Sequence, residues 1–223
     1  MRGWNVKHED FRPLLAHAKI YDPRPRALGF GFDRIQDEHE TAHLPSSMAE
    51  GIAHYRAMLE RNNQAMLAGD AKTAMAIRKE ANRQAVKLND GDLGILGGPD
   101  APGYVLMRET AAPPGTVPMW GQQGDFTVTI DDMPVHITMD GMIGVYAGMN
   151  VWPGFSANAV EPDKPFLSET GYRSFLGANA NMMPGMTPDV FAREVIAAHI
   201  AAHIKEECKG RLRIVKPAYR ERY

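Results

Sequence analysis

The stretch "DFTVTIDDMPVHITMDG", residues 125–141, alternates apolar and polar side chains with a period of two. The apolar positions, which recur on both sides of an acidic turn, are Phe126, Val128, Ile130, Val135, Ile137 and Met139. Alternation of this kind is typical of an antiparallel hairpin with one buried face. We therefore predict a β-hairpin here, and the apolar residues that follow predict a third strand, so that a small sheet spans residues 124–150.

Helical signals precede the hairpin. Ser47 and Glu50 have the spacing of a capping box, and Gly69-Asp70 combines a helix stop with the N-cap of a second helix that ends before "NDG". Residues 47–89 are therefore predicted to form an antiparallel helical hairpin. Its narrow seam of alanines allows close approach of another helix, either within this chain or from a second copy, so a homodimer is possible. Residues 90–123 are dense in Gly and Pro, and the stretch "ILGGPDAPG", residues 95–103, predicts a turn.

A further helix is predicted after the sheet. Thr187-Pro188-Asp189 combines an N-cap, a proline at the first helical position and an acid near the positive end of the helix dipole, so we predict a helix over residues 188–208. Because the strands cluster between helices without βαβ alternation, the predicted fold class is α+β. The helical hairpin and the C-terminal helix pack on a small antiparallel sheet, with long ordered loops.

Composition limits the class of protein. The chain has 223 residues with 44% apolar content, enough for a substantial core. Residues 1–32 are rich in Arg, Pro and Gly and predict an N-terminal arm or loop, whereas residues 33–223 predict a single domain. A single cysteine excludes an internal disulfide, and no apolar run is long enough to span a membrane. These features predict a cytoplasmic protein without a membrane partner.

Residues 151–186 contain too many Pro, Gly and Asn residues for long elements and predict a long loop. The segment combines aromatic side chains with an arginine, the chemistry that is enriched at binding hot spots. The candidate binding residues are Phe155, Phe166, Tyr172, Arg173 and Phe175. The alternative is that the aromatic side chains hold an irregular segment on the core.

The stretch "HETAH", residues 39–43, matches the H-E-x-x-H pattern of zinc hydrolases, in which two histidines one helical turn apart bind zinc and the glutamate orients water. His39 and His43 are the candidate zinc ligands, with Glu40 as the catalytic residue. Pro45 would end such a helix directly after the motif, and the third ligand would have to come from Glu50, His54 or a distant carboxylate. The alternative is a short polar helix without metal, and no cofactor is expected in that case.

The C-terminus is locally basic although the formal net charge of the chain is -2. Its basic residues are Lys209, Arg211, Arg213, Lys216, Arg220 and Arg222. Such a stretch is able to contact phosphates, and it is also typical of a solvated tail. Nucleic acid is therefore a possible partner through this segment.

Four sequence blocks resemble an uncharacterised bacterial protein group associated with accessory genes of plasmids and integrated elements. The blocks are "GFGFDRIQDEHETAHLPSS", "WPGFSANAV", "DKPFLSETGYRSFLG" and "AYRERY". The resemblance implies a bacterial cytoplasmic setting and a role in conflict between a mobile element and its host, and it implies no catalytic residues. The first hypothesis is therefore a protein-binding accessory protein without catalysis of its own. The alternatives are a metal-dependent hydrolase that uses the HETAH motif and a nucleic-acid-associated factor.

Overall fold

The computed structural model describes residues 41–131, 133–143, 154–160, 171–175 and 183–203. From His43 onward these residues belong to one compact unit. Met1–Ala42 form a separate unit, of which only residues 41 and 42 are described. The predicted N-terminal arm and its boundary therefore lie outside the described residues.

Helices α1 (Met48–Ala68) and α2 (Ala71–Leu88) form the hairpin that the capping residues predict. Ser47 Oγ accepts a hydrogen bond from the Glu50 amide at 3.4 Å, and the Asp70 carboxylate accepts one from the Thr73 amide at 3.0 Å. Gly69 ends α1 with φ 74°, a left-handed conformation that glycine adopts without a steric penalty. Local chemistry therefore fixes both ends of the tight connection.

Helix α3 (Pro102–Glu109) was not predicted, and it begins at the end of the stretch 95–103 for which we predicted a turn, so that prediction is wrong at residues 102 and 103. Pro102 occupies the first turn, where a missing amide hydrogen costs nothing. Leu106 and Met107 are buried against α1 and α2, in a cluster that also contains Ile143. The helix is only two turns long, so this burial stabilises it more than its intrinsic propensity does.

Four antiparallel strands form a sheet in the order β1-β2-β3-β4. The strands are β1 (Gly124–Ile130), β2 (Met133–Met139), β3 (Phe155–Ala159) and β4 (Tyr172–Phe175). The hairpin β1-β2 and the α+β class are as predicted. The predicted loop over residues 151–186 is wrong at β3 and β4, which extend the sheet. The predicted third strand falls largely on residues 144–150, outside the described residues.

Helix α4 (Pro188–His203) begins where its N-cap predicts and packs on one face of the sheet, which we call the core face. Phe191 of α4 is fully buried, with its ring edge-on to Trp120 at 5.4 Å and to Phe155 at 5.9 Å. The Trp120 indole N–H donates to the Met186 carbonyl at 2.8 Å, which satisfies the one polar group of this large buried side chain. The predicted extension of the helix to residue 208 lies outside the described residues.

Candidate functional site

The five predicted binding residues do not lie on one surface. Phe155 and Phe175 are 3% and 8% exposed, and their rings stack across β3 and β4 with centroids 4.9 Å apart. They are core residues, so the prediction that they contact a partner is corrected. Their alternation with polar neighbours turns both rings toward α4. Tyr172 is 49% exposed and Arg173 is also exposed, whereas Phe166 lies outside the described residues.

The second face of the sheet, which we call the outer face, carries mainly polar side chains. Because side chains alternate along a strand, the residues between the core positions all point to this side. The described residues of the outer face are Asp125, Thr127, Thr129, Pro134, His136, Thr138, Ser156, Asn158, Val160, Tyr172 and Ser174. All of them are exposed or half-buried. Tyr172 belongs to this face, whereas the exposed Arg173 pairs with the buried Ala157 and lies on the other side of β4.

One row of the outer face crosses all four strands. Thr127 pairs with His136, His136 with Asn158, and Asn158 with Tyr172. Val160, which is 49% exposed, is the diagonal neighbour of Tyr172 across β3 and β4. Diagonal neighbours lie about 7 to 8 Å apart, within reach of an aromatic ring. Tyr172 and Val160 thus occupy diagonal positions of this face, in the neighbourhood of an imidazole and an amide.

Part of the outer face is predictable from the sequence. The alternation in β1 and β2 turns Thr127, His136 and Thr138 outward once the hairpin is recognised. The contribution of β3 and β4 was missed because the segment was predicted as a loop.

The outer face carries little charge. Its ionisable pair is Asp125 and His136, whose carboxylate oxygen and Nε2 are 4.0 Å apart, and both side chains are about half exposed. None of its described residues is Lys or Arg. At this distance and exposure the pair is a weak interaction, so the Asp125 carboxylate gives the described part of this face a small negative charge.

An open cleft of about 660 Å³ adjoins the outer face at the start of β1. One wall is α3, with Tyr104 and Arg108 one turn apart, and the other wall includes Asp125 and Thr138, which also belong to the outer face. The glycine-rich loop of residues 96–99 closes one side. The volume is in the range of small-molecule sites, and the cleft is continuous with the outer face.

Of the predicted zinc site, only His43 is described, and His39 and Glu40 lie outside the described residues. His43 is an exposed turn residue. Glu50 accepts a hydrogen bond from the Ser47 hydroxyl at 2.8 Å, and His54 contacts Gln84 at 2.8 Å through Nδ1 and Glu80 at 3.6 Å through Nε2. Both proposed third ligands thus have other contacts. Within the described ranges no group of three or more His, Cys, Asp or Glu side chains is arranged to hold a metal.

The basic C-terminal residues, from 209 onward, also lie outside the described residues, so the nucleic-acid hypothesis stays a prediction. Among the helices of the described part of the chain, none has the length and apolar character needed to cross a membrane.

Two proteins from Escherichia coli, each named Protein KlcB, are similar to this chain. One is 40% identical over 118 residues, which cover 52% of this chain and 24% of the relative. The other is 31% identical over 182 residues, which cover 81% of this chain and 42% of the relative. The chain thus spans less than half the length of these relatives. Their bacterial origin agrees with the protein group that the sequence blocks resemble, and their name states no activity, partner or cofactor.

No family model matches the chain. No solved structure matches it either.

Proposed function

We propose that the protein is a macromolecule-binding accessory protein of bacterial mobile elements, which acts in conflict between an element and its host and catalyses no reaction itself. Its partner is another protein, which binds on the outer face of the sheet. The observation that carries this proposal is the exposure of Tyr172 on β4 and of Val160 directly after β3, each 49% exposed and diagonal to one another.

The exposure of this pair favours a binding role because aromatic side chains that remain on a surface are enriched at interface hot spots. Tyrosine provides a large contact area with few rotatable bonds, so little conformational entropy is lost on binding. The hydroxyls, amide and imidazole of the same face are suited to the polar rim of a protein interface.

The charge of the outer face favours a protein partner over a nucleic acid. Nucleic-acid binding depends on Lys and Arg side chains that neutralise phosphates. The described residues of this face contain neither, and Asp125 adds a negative charge. Arg173 stands at the edge of the sheet, where a single cation is typical of an interface anchor rather than of a phosphate-binding surface.

The genetic setting of the proposal is supported by the sequence blocks that resemble accessory proteins of plasmids and integrated elements. The similarity to two bacterial proteins is consistent with that setting. Since the chain spans less than half of either relative, the activity of a longer protein is not carried over to it.

Site-specific photo-crosslinking in bacterial cells that carry the mobile element tests the proposal. A benzophenone amino acid is introduced in place of Tyr172 or Val160, and in the control variant in place of Glu60, an exposed residue of α1. We expect one discrete adduct of the same partner from both outer-face positions and none from the control. The adduct should be sensitive to protease and resistant to nuclease.

Binding of the identified partner to purified protein then gives the energetics. Arg173→Ala and Tyr172→Ala should each weaken binding by roughly 1 to 2 kcal/mol. Neither variant should lower the melting temperature, because both side chains are exposed. Adducts that appear equally at Glu60, or that are digested by nuclease, would contradict the proposal. The second result would favour the nucleic-acid hypothesis.

A further inference from the structure

We propose that the cleft between α3 and the start of β1 binds an arginine side chain of the protein partner. That the arginine belongs to a protein partner rests on the proposed function. That the cleft binds an arginine side chain is argued from the residues that line the cleft.

The positive charge in the cleft is already engaged. The Arg108 Nη1 donates to the Pro99 carbonyl at 3.1 Å, and Nε donates to the Glu109 carboxylate at 3.2 Å. These bonds hold the glycine-rich loop against α3 and use two of the N–H donors of the guanidinium. Arg108 therefore acts as part of the wall, and part of its hydrogen-bonding capacity is already used.

The negative charge in the cleft is not engaged in the same way. The His136 Nε2 lies 4.0 Å from the Asp125 carboxylate, beyond hydrogen-bonding distance. An ionised carboxylate accepts several hydrogen bonds and pairs with a guanidinium in a two-pronged geometry. The Asp125 carboxylate is therefore the acceptor that a cation in the cleft would use.

The remaining walls suit a planar cation on an apolar stem. Tyr104 is 40% exposed and lines the cleft, so its ring is accessible to a guanidinium, which stacks on aromatic faces. Leu96, Ala111 and Ala112 provide apolar surface for the three methylene groups of an arginine. An ammonium ion gains less from an aromatic face, and this difference favours arginine over lysine.

The position of the cleft indicates a peptide as the source of the arginine. Asp125 and Thr138 line the cleft and also belong to the outer face. A polypeptide bound across the outer face would therefore contact two residues that also line the cleft, and one of its side chains is able to enter the cleft beside them. A free small cation would make no use of this continuity.

A titration of the full isotopically labelled chain, followed through its backbone amide NMR signals, tests the proposal. The probe is acetyl-Gly-Arg-Gly-amide, compared with the uncharged acetyl-Gly-Gln-Gly-amide and with methylguanidine. We expect the arginine peptide to shift the amide signals of Asp125, Thr138 and Tyr104. Its affinity should exceed those of the glutamine peptide and of methylguanidine by about fivefold each.

Two matched variants separate charge from packing. Asp125→Asn should reduce the affinity for the arginine peptide to that for the glutamine peptide. Asp131→Asn removes an equal charge from the exposed turn of the same hairpin and should leave binding unchanged, because asparagine tolerates the φ of 51° found there.

The proposal is overturned if the two peptides bind equally, if Asp125→Asn binds like the unmodified protein, or if no amide signal moves. If methylguanidine binds as tightly as the arginine peptide, the inference that the bound group belongs to a polypeptide is wrong. The failure of the proposed function can be told apart from the failure of this proposal. If the proposed function is wrong, no photo-crosslinks form at Tyr172 and Val160, but the arginine peptide still binds in the titration.

Discussion

Replacing Phe155 or Tyr172 by alanine tests whether each residue belongs to the core of the sheet or to its outer face. Both residues were predicted from the sequence as members of one binding surface, but Phe155 is 3% exposed and Tyr172 is 49% exposed. Phe155→Ala should therefore destabilise the fold, whereas Tyr172→Ala should change the free energy of unfolding by no more than about 0.5 kcal/mol.

The cost of Phe155→Ala follows from its contacts. Removing a fully buried ring loses about 2 to 3 kcal/mol of transfer free energy. The stacked contact with Phe175 at 4.9 Å and the edge contact with Phe191 at 5.9 Å are present as well. Each such pair adds roughly 0.5 to 1.5 kcal/mol. The total of about 4 kcal/mol agrees with the range for buried phenylalanine and corresponds to a melting temperature lower by about 8 to 16 °C.

Urea unfolding followed by far-UV circular dichroism measures both effects. Phe155→Leu retains most of the side-chain volume and should cost roughly 1 kcal/mol, so it remains measurable if the alanine variant does not fold. A loss below about 1 kcal/mol for Phe155→Ala would refute the assignment of this ring to the core, as would an equal loss for Tyr172→Ala.

Three further predictions concern a glycine, a helix cap and the metal motif. Gly121→Ala should cost about 2 to 4 kcal/mol in urea unfolding, because φ is 87° and the new Cβ would lie 2.5 Å from the Met142 Cγ. Gly115→Ala, with φ 76° and no atom within 4 Å, should cost only about 1 kcal/mol, and equal losses would contradict the role of the contact. Hydrogen bonds that Thr73 donates to the Asp70 carboxylate lower its pKa in the folded protein below 3.8. The ionised carboxylate therefore stabilises the fold at pH values above the pKa that Asp70 has in the unfolded chain, and this stabilisation is lost as the pH falls through the lower pKa of the folded protein. The melting temperature should therefore fall less between pH 5 and pH 3 in Asp70→Asn than in the unmodified protein, whereas equal falls would contradict this linkage. A chelator should not change the melting temperature of the protein or of His43→Ala, because the proline two positions later ends any metal-binding helix; stoichiometric zinc in elemental analysis would show this to be wrong.

The helices were predictable where their ends depend on local chemistry. Ser47 and Asp70 cap α1 and α2 through bonds to amides three residues away, and Pro188 opens α4. Such interactions depend on a few neighbouring residues, so helix ends of this kind can be predicted from the sequence without knowledge of the fold. The same holds for β1 and β2, whose alternation extends over seven residues in each strand.

The strands β3 and β4 were not predictable by the same means. β3 has five residues and includes two alanines on its core face, and β4 has four residues with one buried ring. Short runs with small apolar side chains give little periodic signal. What stabilises them is the stacking of Phe155 on Phe175, a contact between strands that are far apart in the sequence. The cleft was missed for a related reason, since α3 was itself not predicted.

The register of the core determines which side chains are available for binding. If β3 shifted by one residue, Phe155 would face solvent, and Ser156 and Asn158 would turn toward α4. Burying a hydroxyl and an amide without partners costs several kcal/mol, as does exposing the ring, so the core strongly favours the observed register. That register pairs Tyr172 with Asn158 on the outer face. A substitution at Phe155 should therefore impair partner binding only by unfolding the sheet, whereas Tyr172 and Asp125 should affect binding in a protein that remains fully folded.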